Sequence, residues 1–268
     1  MSQVIQDYRR FAGNDVLTTL TLLSAEKLLF HETHEKERLD RVCRSIMEEG
    51  VIHHPALALK LPSGNYLLLD GAHRVMAMKE LGCKGLAVQV VEEQQVRLRA
   101  WNHLLPMGEW WEALGCDPHI TWSDTRMDGR LLAHVTEATG REYFLYPRDT
   151  DENLFTHLTA WHRIVSKYQH GCIVQRVADG GTTQFREGEV LFSYPDYTLE
   201  ELKWVVENDR LMPAGVTRTI VQGRLLNLRI SLDLLQEERF DQHRWEELLQ
   251  GWSRSLRLYT EPVYICEG

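Results

Sequence analysis

The stretch GNYLLLDGAHR, residues 64–74, decides the fold of the first part of this chain. It begins inside a Pro-Ser-Gly-Asn turn over residues 62–65, continues as an apolar strand over 66–69 and enters a helix predicted for 72–81. A second apolar run over 56–61 precedes the turn. The pattern therefore predicts a β-hairpin whose second strand leads directly into a helix.

The flanking sequence predicts the rest of an α/β module. Strands are expected over 17–23 and 86–91, and a helix is expected from Thr33, as its N-cap, to Glu49. Gly50 follows in the position that commonly ends a helix. The apolar stripe of this helix comprises Leu39, Val42, Ile46 and Met47.

The remaining two thirds of the chain are less regular. The predicted elements are a helix over 97–105, a helix over 151–168, a strand over 190–192, a helix over 199–207 and a strand over 225–232. We place a domain boundary near residue 100. The fold class is α/β (α+β), with an N-terminal domain over 1–100 and a second α/β domain over 101–268 that closes the active-site cleft.

Composition excludes several classes of protein. Thirty Lys and Arg against thirty-nine Asp and Glu give a net charge of -9, which disfavours a protein that wraps nucleic acid. The five cysteines form no CxxC pair, so a zinc knuckle is not expected. The chain starts without an apolar signal-peptide core and has no apolar run that could span a bilayer. We expect a cytoplasmic protein with no membrane partner.

Residues 70–74, Asp-Gly-Ala-His-Arg, carry the strongest indication of chemistry. A helix that begins just after a strand presents unpaired N–H groups and a positive dipole end, which together bind anions. His73 and Arg74 add donors suited to phosphate oxygens, and Asp70 is a candidate Mg²⁺ ligand beside them. The alternative is structural, with Asp70 capping the helix and Arg74 in a surface ion pair.

Two further segments offer polar groups. Glu32, just before the predicted helix, is a candidate general base, or alternatively a first-turn residue with a structural role. The nearby histidines lack the spacing of a zinc-binding helix, so a histidine metal site is not expected. Thr217, Arg218 and Thr219 can bind a small carboxylate, although polar loops also serve solubility. Trp101 is more often a core residue than a pocket wall.

Taken together, these motifs resemble the ParB/sulfiredoxin-like superfamily. Its order of elements is matched here by EGVIHHP over 49–55, GNYLLLDGAHR over 64–74 and LGC over 81–83. Within that superfamily the chain is most similar to the free L-serine kinases. FHE over 30–32 resembles their P-H-E segment, and LMPAGVTRT over 211–219 resembles their late P-x-x-T-R-H segment.

The resemblance implies a Mg²⁺-dependent kinase that transfers a phosphoryl group from ATP or ADP to free L-serine, for cysteine or siderophore biosynthesis. It implies that Asp70 lies beside magnesium and the transferred group and that Glu32 takes the hydroxyl proton. The implied nucleotide-phosphate residues are Gly71, Ala72, His73 and Arg74. The implied substrate residues are Trp101, Thr217, Arg218 and Thr219.

The chain departs from the family pattern at two positions, where Ala72 and Thr219 replace histidines. Ala72 also stands where a sulfiredoxin needs its reactive cysteine, which excludes that activity. A ParB-type DNA clamp would need a helix-turn-helix domain and basic surface, which the sequence does not indicate. Two alternatives stay open: a non-catalytic nucleotide-binding regulator, and a kinase of homoserine or threonine.

Overall fold

The computed structural model describes residues 15–32, 36–149, 153–169, 171–178 and 185–259. The chain forms two compact units: residues through Arg97 together with those from Ile220 onward, and Leu98–Thr219. The chain first passes from one unit to the other after Arg97, three residues before the boundary predicted near residue 100. The predicted division assigned residues 101–268 to the second domain, but the chain returns to the first unit at residue 220. No sequence signal marks this return, because the segment has no linker-like composition.

The first unit contains a five-stranded mixed sheet. Its elements are β1 (Leu20–Leu23), β2 (Leu28–Phe30), α1 (Lys36–Glu49), β3 (Val51–Ile52), β4 (Ala56–Lys60), β5 (Tyr66–Asp70), α2 (Ala72–Glu80) and β6 (Leu86–Val91). The strand order is β1-β6-β4-β5-β2. The β4–β5 pair is the antiparallel hairpin that the sequence predicts, whereas β2 pairs with β5 and β4 with β6 in parallel.

Helix α1 packs its apolar face into the core of this unit and ends where predicted, before Gly50 at a φ of +66°. Its buried residues are Leu39, Cys43 and Ile46. Met47 is 55% exposed, so its assignment to the apolar stripe is wrong. Spacings of four and three carry the stripe through Cys43, which behaves as a small apolar residue.

Two predictions for the start of the chain need correction. Residues 15–19 form a 3₁₀ helix, so only the second half of the strand predicted over 17–23 is extended. The segment between this strand and the helix predicted from Thr33, for which no element is predicted, contains β2. Three residues are too few to show alternation, and the parallel pairing of β2 with β5 determines its conformation.

The second unit is built around a six-stranded antiparallel sheet. The elements of this unit, including the strands β7 and β14 at its two ends, follow in chain order. They are β7 (Val96–Ala100), β8 (Asn102–Pro106), α3 (Glu109–Gly115), β9 (Ile120–Ser123), β10 (Ala133–Glu137), β11 (Glu142–Pro147), α4 (Leu154–Tyr168), β12 (Gln175–Val177), β13 (Glu189–Ser193), α5 (Leu199–Glu207) and β14 (Thr217–Val221). The order is β12-β8-β13-β10-β11-β9, and β7 pairs with β14. Trp161 and Tyr168 of α4 lie in its core.

Most predicted elements of this unit are confirmed. Helix α5 has the predicted bounds and begins with a capping box between Thr198 and Glu201. The helix predicted over 97–105 is wrong, because those residues form β7 and β8. In β7 buried Leu98 and Ala100 alternate with more exposed neighbours, which is a period of two.

The chain then returns to the first unit and completes its core. Residues 225–232 were expected to form one strand, but Asn227 and Arg229 have a φ of +55°, which interrupts extended structure. The segment instead forms β15 (Ile230–Ser231), paired with β3, then α6 (Leu232–Gln236) and α7 (Gln242–Ser255). Its buried side chains are Leu225, Leu228, Ile230, Leu232, Leu234, Leu235 and Trp245.

Among the residues placed by the structure, none of the helices is long and apolar enough to cross a bilayer.

Neighbouring residues of α1 test the corrected stripe. We expect Ile46→Ala to lower the free energy of unfolding by about 2–4 kcal/mol, because it leaves a cavity at a buried position. Met47→Ala, the control one residue away, should change it by less than about 0.5 kcal/mol. Urea unfolding of both variants measures this, and equal losses would contradict the assignment.

Candidate functional site

The turn between β5 and α2 depends on Gly71. This residue is the N-cap of α2 and has a φ of +95°, a left-handed conformation that side chains disfavour. A Cβ at this position would lie 2.9 Å from Nη2 of Arg74 and 3.2 Å from Cα of Ala56. Gly71 therefore allows both the reversal of the backbone and the return of the Arg74 side chain over it.

Asp70, the last residue of β5, carries two ion pairs. Its Oδ2 accepts a hydrogen bond from Nη2 of Arg74 at 2.9 Å and another from Nη2 of Arg224. Burial raises the pKa of Asp70, but the charges of Arg74 and Arg224 outweigh it and hold the pKa below its ordinary value. The carboxylate is thus ionised at neutral pH.

Sequence reasoning anticipated one of these pairs and missed the other. The structural alternative expected an ion pair for Arg74 without naming its partner, which is Asp70. Its second part is wrong, because Gly71 occupies the N-cap position instead of Asp70. Arg224 comes from a segment 154 residues away in sequence and had no local signal. A strand-ending aspartate offers nothing that would identify so distant a partner.

The first turn of α2 contains the next two candidates. The Ala72 side chain is buried in the apolar core, so it is the main-chain N–H that this residue can offer to an anion. His73 is half-buried and engaged in a contact of its own. Ala72 and His73 both lie at the positive end of the helix dipole, near Arg74 and Arg224, the two ion-pair partners of Asp70.

Glu32 lies at the same edge of the sheet as Asp70. Strands β2 and β5 are parallel, with Phe30 paired to Leu68, so both strands end at the same edge of the sheet. Glu32 follows the end of β2 by two residues, and Asp70 is the last residue of β5. His31 fixes this end of β2, because its buried ring donates through Nδ1 to the Leu68 carbonyl at 2.6 Å. Thr33 and its predicted capping role lie outside the described residues.

His53 and His54 bond to neighbouring residues of the first unit. His53 bonds to Glu49 and Asn227, and Nδ1 of His54 accepts from the N–H of Asn227 at 2.9 Å. Over the parts of the chain that the structure covers, no three His, Cys, Asp or Glu side chains are grouped as a metal cage would require.

In the second unit, Trp101 and Arg218 lie against each other. The Arg218 guanidinium lies 4.6 Å from the centroid of the Trp101 ring, a cation–π contact that holds both side chains. The N–H of Trp101 donates to the Val216 carbonyl at 2.8 Å, which ties the start of β14 to this residue. Trp101 is half-buried, so it is not a core residue.

Thr217 supplies a polar atom without a partner. Its Oγ1 is buried and makes no hydrogen bond to any residue that the structure describes. A buried hydroxyl of this kind is costly unless a water or ligand completes it. Thr219, two residues along β14, is half-buried and has contacts of its own.

A directed chain of hydrogen bonds holds the turn that precedes these residues. His103 is buried and bonds through Nε2 to the Gly215 carbonyl at 2.9 Å and through Nδ1 to the Tyr168 hydroxyl at 2.7 Å. Burial lowers the pKa of His103 to about 4, so the ring is neutral. Because a carbonyl accepts only, Nε2 carries the proton and Nδ1 accepts from Tyr168. Tyr168 in turn accepts from Tyr194 at 2.6 Å.

Gly215 has a φ of +73°, a conformation that side chains disfavour. A Cβ there would also clash with the Arg176 guanidinium, which would have to move. The neutral His103, the tyrosines and Arg176 therefore fix the backbone immediately before Thr217 and Arg218. Sequence reasoning missed this network, because its members come from four separate elements.

No protein-family model matches the chain. Over 257 residues the chain is 35% identical to the ATP-dependent L-serine kinase SbnI of Staphylococcus aureus (strain NCTC 8325 / PS 47), a match that covers 95% of this chain and 99% of that protein. It is also 35% identical over 83 residues to the ATP-dependent L-serine kinase of Staphylothermus marinus, covering 30% of this chain and 33% of that one.

Two solved structures resemble the structure of this chain. The chain superposes on SbnI with C-terminal truncation from Staphylococcus aureus with a TM-score of 0.77 and 32% identity, over 90% of this chain and 97% of that one. A free serine kinase with a glutamate-to-alanine substitution, in complex with ADP, superposes with a TM-score of 0.65 at 15% identity, over 81% and 93% of the two chains. The second likeness is one of fold.

Gly71 and Gly82 provide a matched pair of substitutions. Gly82 has a φ of +77°, but no atom lies within 4 Å of the place that a Cβ would take, so Gly82→Ala incurs the backbone penalty alone, about 1 kcal/mol. Gly71→Ala adds a clash with Arg74 and should lower the free energy of unfolding by at least about 1 kcal/mol more. Denaturant unfolding measures both, and equal losses would refute the close approach of Arg74.

The neutral state of His103 predicts a pH dependence. The folded pKa lies below the ordinary value of 6.5, so stability is lost as pH falls from about 6.5 towards 4, where the unfolded chain binds the extra proton. Relative to His103→Gln, the wild type should lose about 2 kcal/mol between pH 7 and pH 5.

Urea unfolding at both pH values measures this difference. His243→Gln, at a side chain that is 83% exposed, is the control and should follow the wild type. A constant difference between wild type and His103→Gln would show that folding does not lower the pKa of the His103 ring.

Proposed function

Because the chain belongs to the family of the ATP-dependent L-serine kinases, we propose that it transfers the γ-phosphoryl group of ATP to the hydroxyl of free L-serine. The products are O-phospho-L-serine and ADP. The observation that carries the proposal is the 35% identity to SbnI over 99% of that kinase. The groups found in each unit supply the chemistry that such a transfer needs.

In the first unit we assign the nucleotide phosphates to the start of α2. The proposed ligands are the main-chain N–H groups of Gly71 and Ala72 and the side chains of His73 and Arg74. The closely turned backbone at Gly71 and the helix dipole both favour an anion here. The Arg74 guanidinium donates through Nη2 to Asp70 and through Nη1 to the His54 carbonyl at 3.3 Å, and we propose that it binds a phosphate oxygen from this position.

Asp70 fits a magnesium ion that is held mainly by the nucleotide. Mg²⁺ in such sites takes one or two carboxylates and completes its shell with phosphate oxygens and water. The ionised Asp70 provides one such carboxylate, which suits a nucleotide-borne ion better than a cage made of protein ligands alone. When bound, the ion neutralises phosphate charge during transfer.

We propose that Glu32 accepts the proton of the serine hydroxyl. The serine Oγ forms a bond to the γ-phosphorus as the bond between that phosphorus and the β–γ bridging oxygen breaks, and ADP leaves with the bridging oxygen. The hydroxyl proton passes to the Glu32 carboxylate and then to solvent. The parallel pairing of β2 with β5 supports this role, because Glu32 follows β2, Asp70 ends β5, and both strands stop at the same edge of the sheet.

In the second unit we assign the amino acid to Trp101 and the start of β14. Arg218, held by the Trp101 ring, is suited to the serine carboxylate. The buried Oγ1 of Thr217 is a further polar group that a substrate can complete. Thr219 stays a proposed substrate residue on the family pattern alone.

The sequence left ATP and ADP open as phosphoryl donors, and the names of the relatives favour ATP. The net charge of -9 keeps nucleic acid an unfavoured partner. A kinase that uses ATP acts where ATP is available, so we retain the cytoplasm as the proposed location. From the family resemblance we also propose that the product is used in cysteine or siderophore biosynthesis.

The direct test is incubation of the purified protein with Mg²⁺, ATP or ADP, and L-serine, L-homoserine or L-threonine, followed by ³¹P NMR. We expect O-phosphoserine from ATP and L-serine. Absence of a phosphorylated amino acid with nucleotide bound would favour a regulator, and faster turnover of homoserine or threonine would reassign the substrate.

Carboxylate variants test the assigned roles. We expect Glu32→Gln and Asp70→Asn each to lower kcat by about 100-fold or more, because one loses the proton acceptor and the other the metal-binding charge. Glu37→Gln and Asp40→Asn, at exposed positions of α1, are the matched controls and should stay within about two-fold of wild type. An unaltered rate in either site variant would remove that residue from the mechanism.

A further inference from the structure

Arg224 has a place at the Asp70 carboxylate that neither the motifs nor the family pattern assign. Its Nη2 donates to the same Oδ2 that receives the hydrogen bond from Arg74. The side chains of Arg74, Arg224 and Asp70 are 18%, 28% and 40% exposed, so all three retain access to solvent. One carboxylate oxygen thus faces two guanidinium groups at an accessible edge of the first unit.

The backbone on both sides of Arg224 is clamped by one buried side chain. Gln89 of β6 is 2% exposed. Its Nε2 donates to the Gly223 carbonyl at 2.9 Å, and its Oε1 accepts from the N–H of Leu225 at 2.9 Å. Leu225 is itself buried in the apolar core. The side-chain amide of Gln89 is therefore used to hold the residues before and after Arg224, which fixes where the guanidinium emerges.

Cationic groups are concentrated at this turn. Two guanidinium groups meet one oxygen of Asp70, in a chain whose net charge is -9. The N-terminus of α2 adds its positive dipole end at the same turn. Partly desolvated cations held this close repel each other, and an anion that binds between them relieves the repulsion.

A guanidinium carries five N–H donors in a planar fork, so an arginine bonded to a carboxylate through Nη2 can also bind a phosphate oxygen. A purely structural ion pair would need only to hold the segment around residue 224, which Gln89 and Leu225 already do. The presence of a second guanidinium at the start of α2 is better explained by a ligand.

We propose that Arg224 is a nucleotide-phosphate-binding residue, which forms with Arg74 a two-arginine cradle organised by Asp70 and held in place by the Gln89 clamp. The inference rests on the proposed function for the identity of the anion, a magnesium-bound nucleoside triphosphate. It extends the phosphate site from the motif at residues 70–74 to the returning segment of the chain.

Calorimetric titration with MgATP in the absence of serine tests this assignment. We expect Arg224→Gln, which keeps a donor to Asp70 but loses the charge, to weaken MgATP binding by about ten-fold or more. Arg224→Lys should recover part of the affinity, because it restores the charge without the fork. Arg244→Gln is the matched control: it removes another arginine–carboxylate pair of the same unit, with Glu237, and should bind within about two-fold of wild type.

Thermal unfolding separates a ligand role from a structural one. If Arg224 only held the fold, Arg224→Gln would lower Tm and leave MgATP affinity unchanged. Affinity equal to or tighter than wild type in a folded Arg224→Gln protein would overturn the proposal. The titration needs no turnover, so a protein that binds MgATP through Arg224 but phosphorylates no serine would refute the proposed function and leave this inference standing.

A double-mutant cycle tests the clamp. Gln89→Leu should weaken MgATP binding by itself, because it releases the backbone beside Arg224. In the Arg224→Gln background it should cause no further loss, since the side chain that it positions is already gone. Equal, additive losses in the two backgrounds would show that Gln89 does not act through Arg224.

Discussion

The first unit depends on the left-handed backbone of Gly71. This one residue lets β5 stop and α2 start without an intervening loop, and its missing side chain leaves the space in which Arg74 returns to Asp70. The helix axis, the direction of its dipole and the ionisation of the carboxylate all follow from that reversal. The position of Glu32 depends on sheet pairing instead. Glu32 follows β2, which is parallel to β5 and ends at the same edge of the sheet as Asp70.

Local patterns were sufficient wherever the structure is determined by residues close in sequence. The β4–β5 hairpin, the helix that follows it and the stop of α1 at Gly50 rest on turn chemistry and periodicity within about fifteen residues. The candidate site residues Asp70 and Arg74 were found for the same reason. Their predicted roles in phosphoryl transfer stay predictions until the variants are measured.

Long-range contacts account for what was missed. Strand β2 is defined by its partner and not by its three residues, and β8 is buried at four successive positions, so it shows no alternation that would distinguish it from a helix. Arg224 contacts Asp70 from a distant segment, whose backbone is bound by Gln89 on a different strand. Single-sequence periodicity contains no information on such pairings, since each partner has an ordinary sequence environment.

The division of the chain has a consequence for the order in which the protein can form during synthesis. The second unit is one continuous stretch, Leu98–Thr219, and all of it is synthesised before the returning segment of the first unit. The first unit must wait for Leu225, Ile230 and Trp245, which complete its core. The residues synthesised first are therefore the last to reach a finished fold, and until then their open apolar face is exposed to chaperones and proteases.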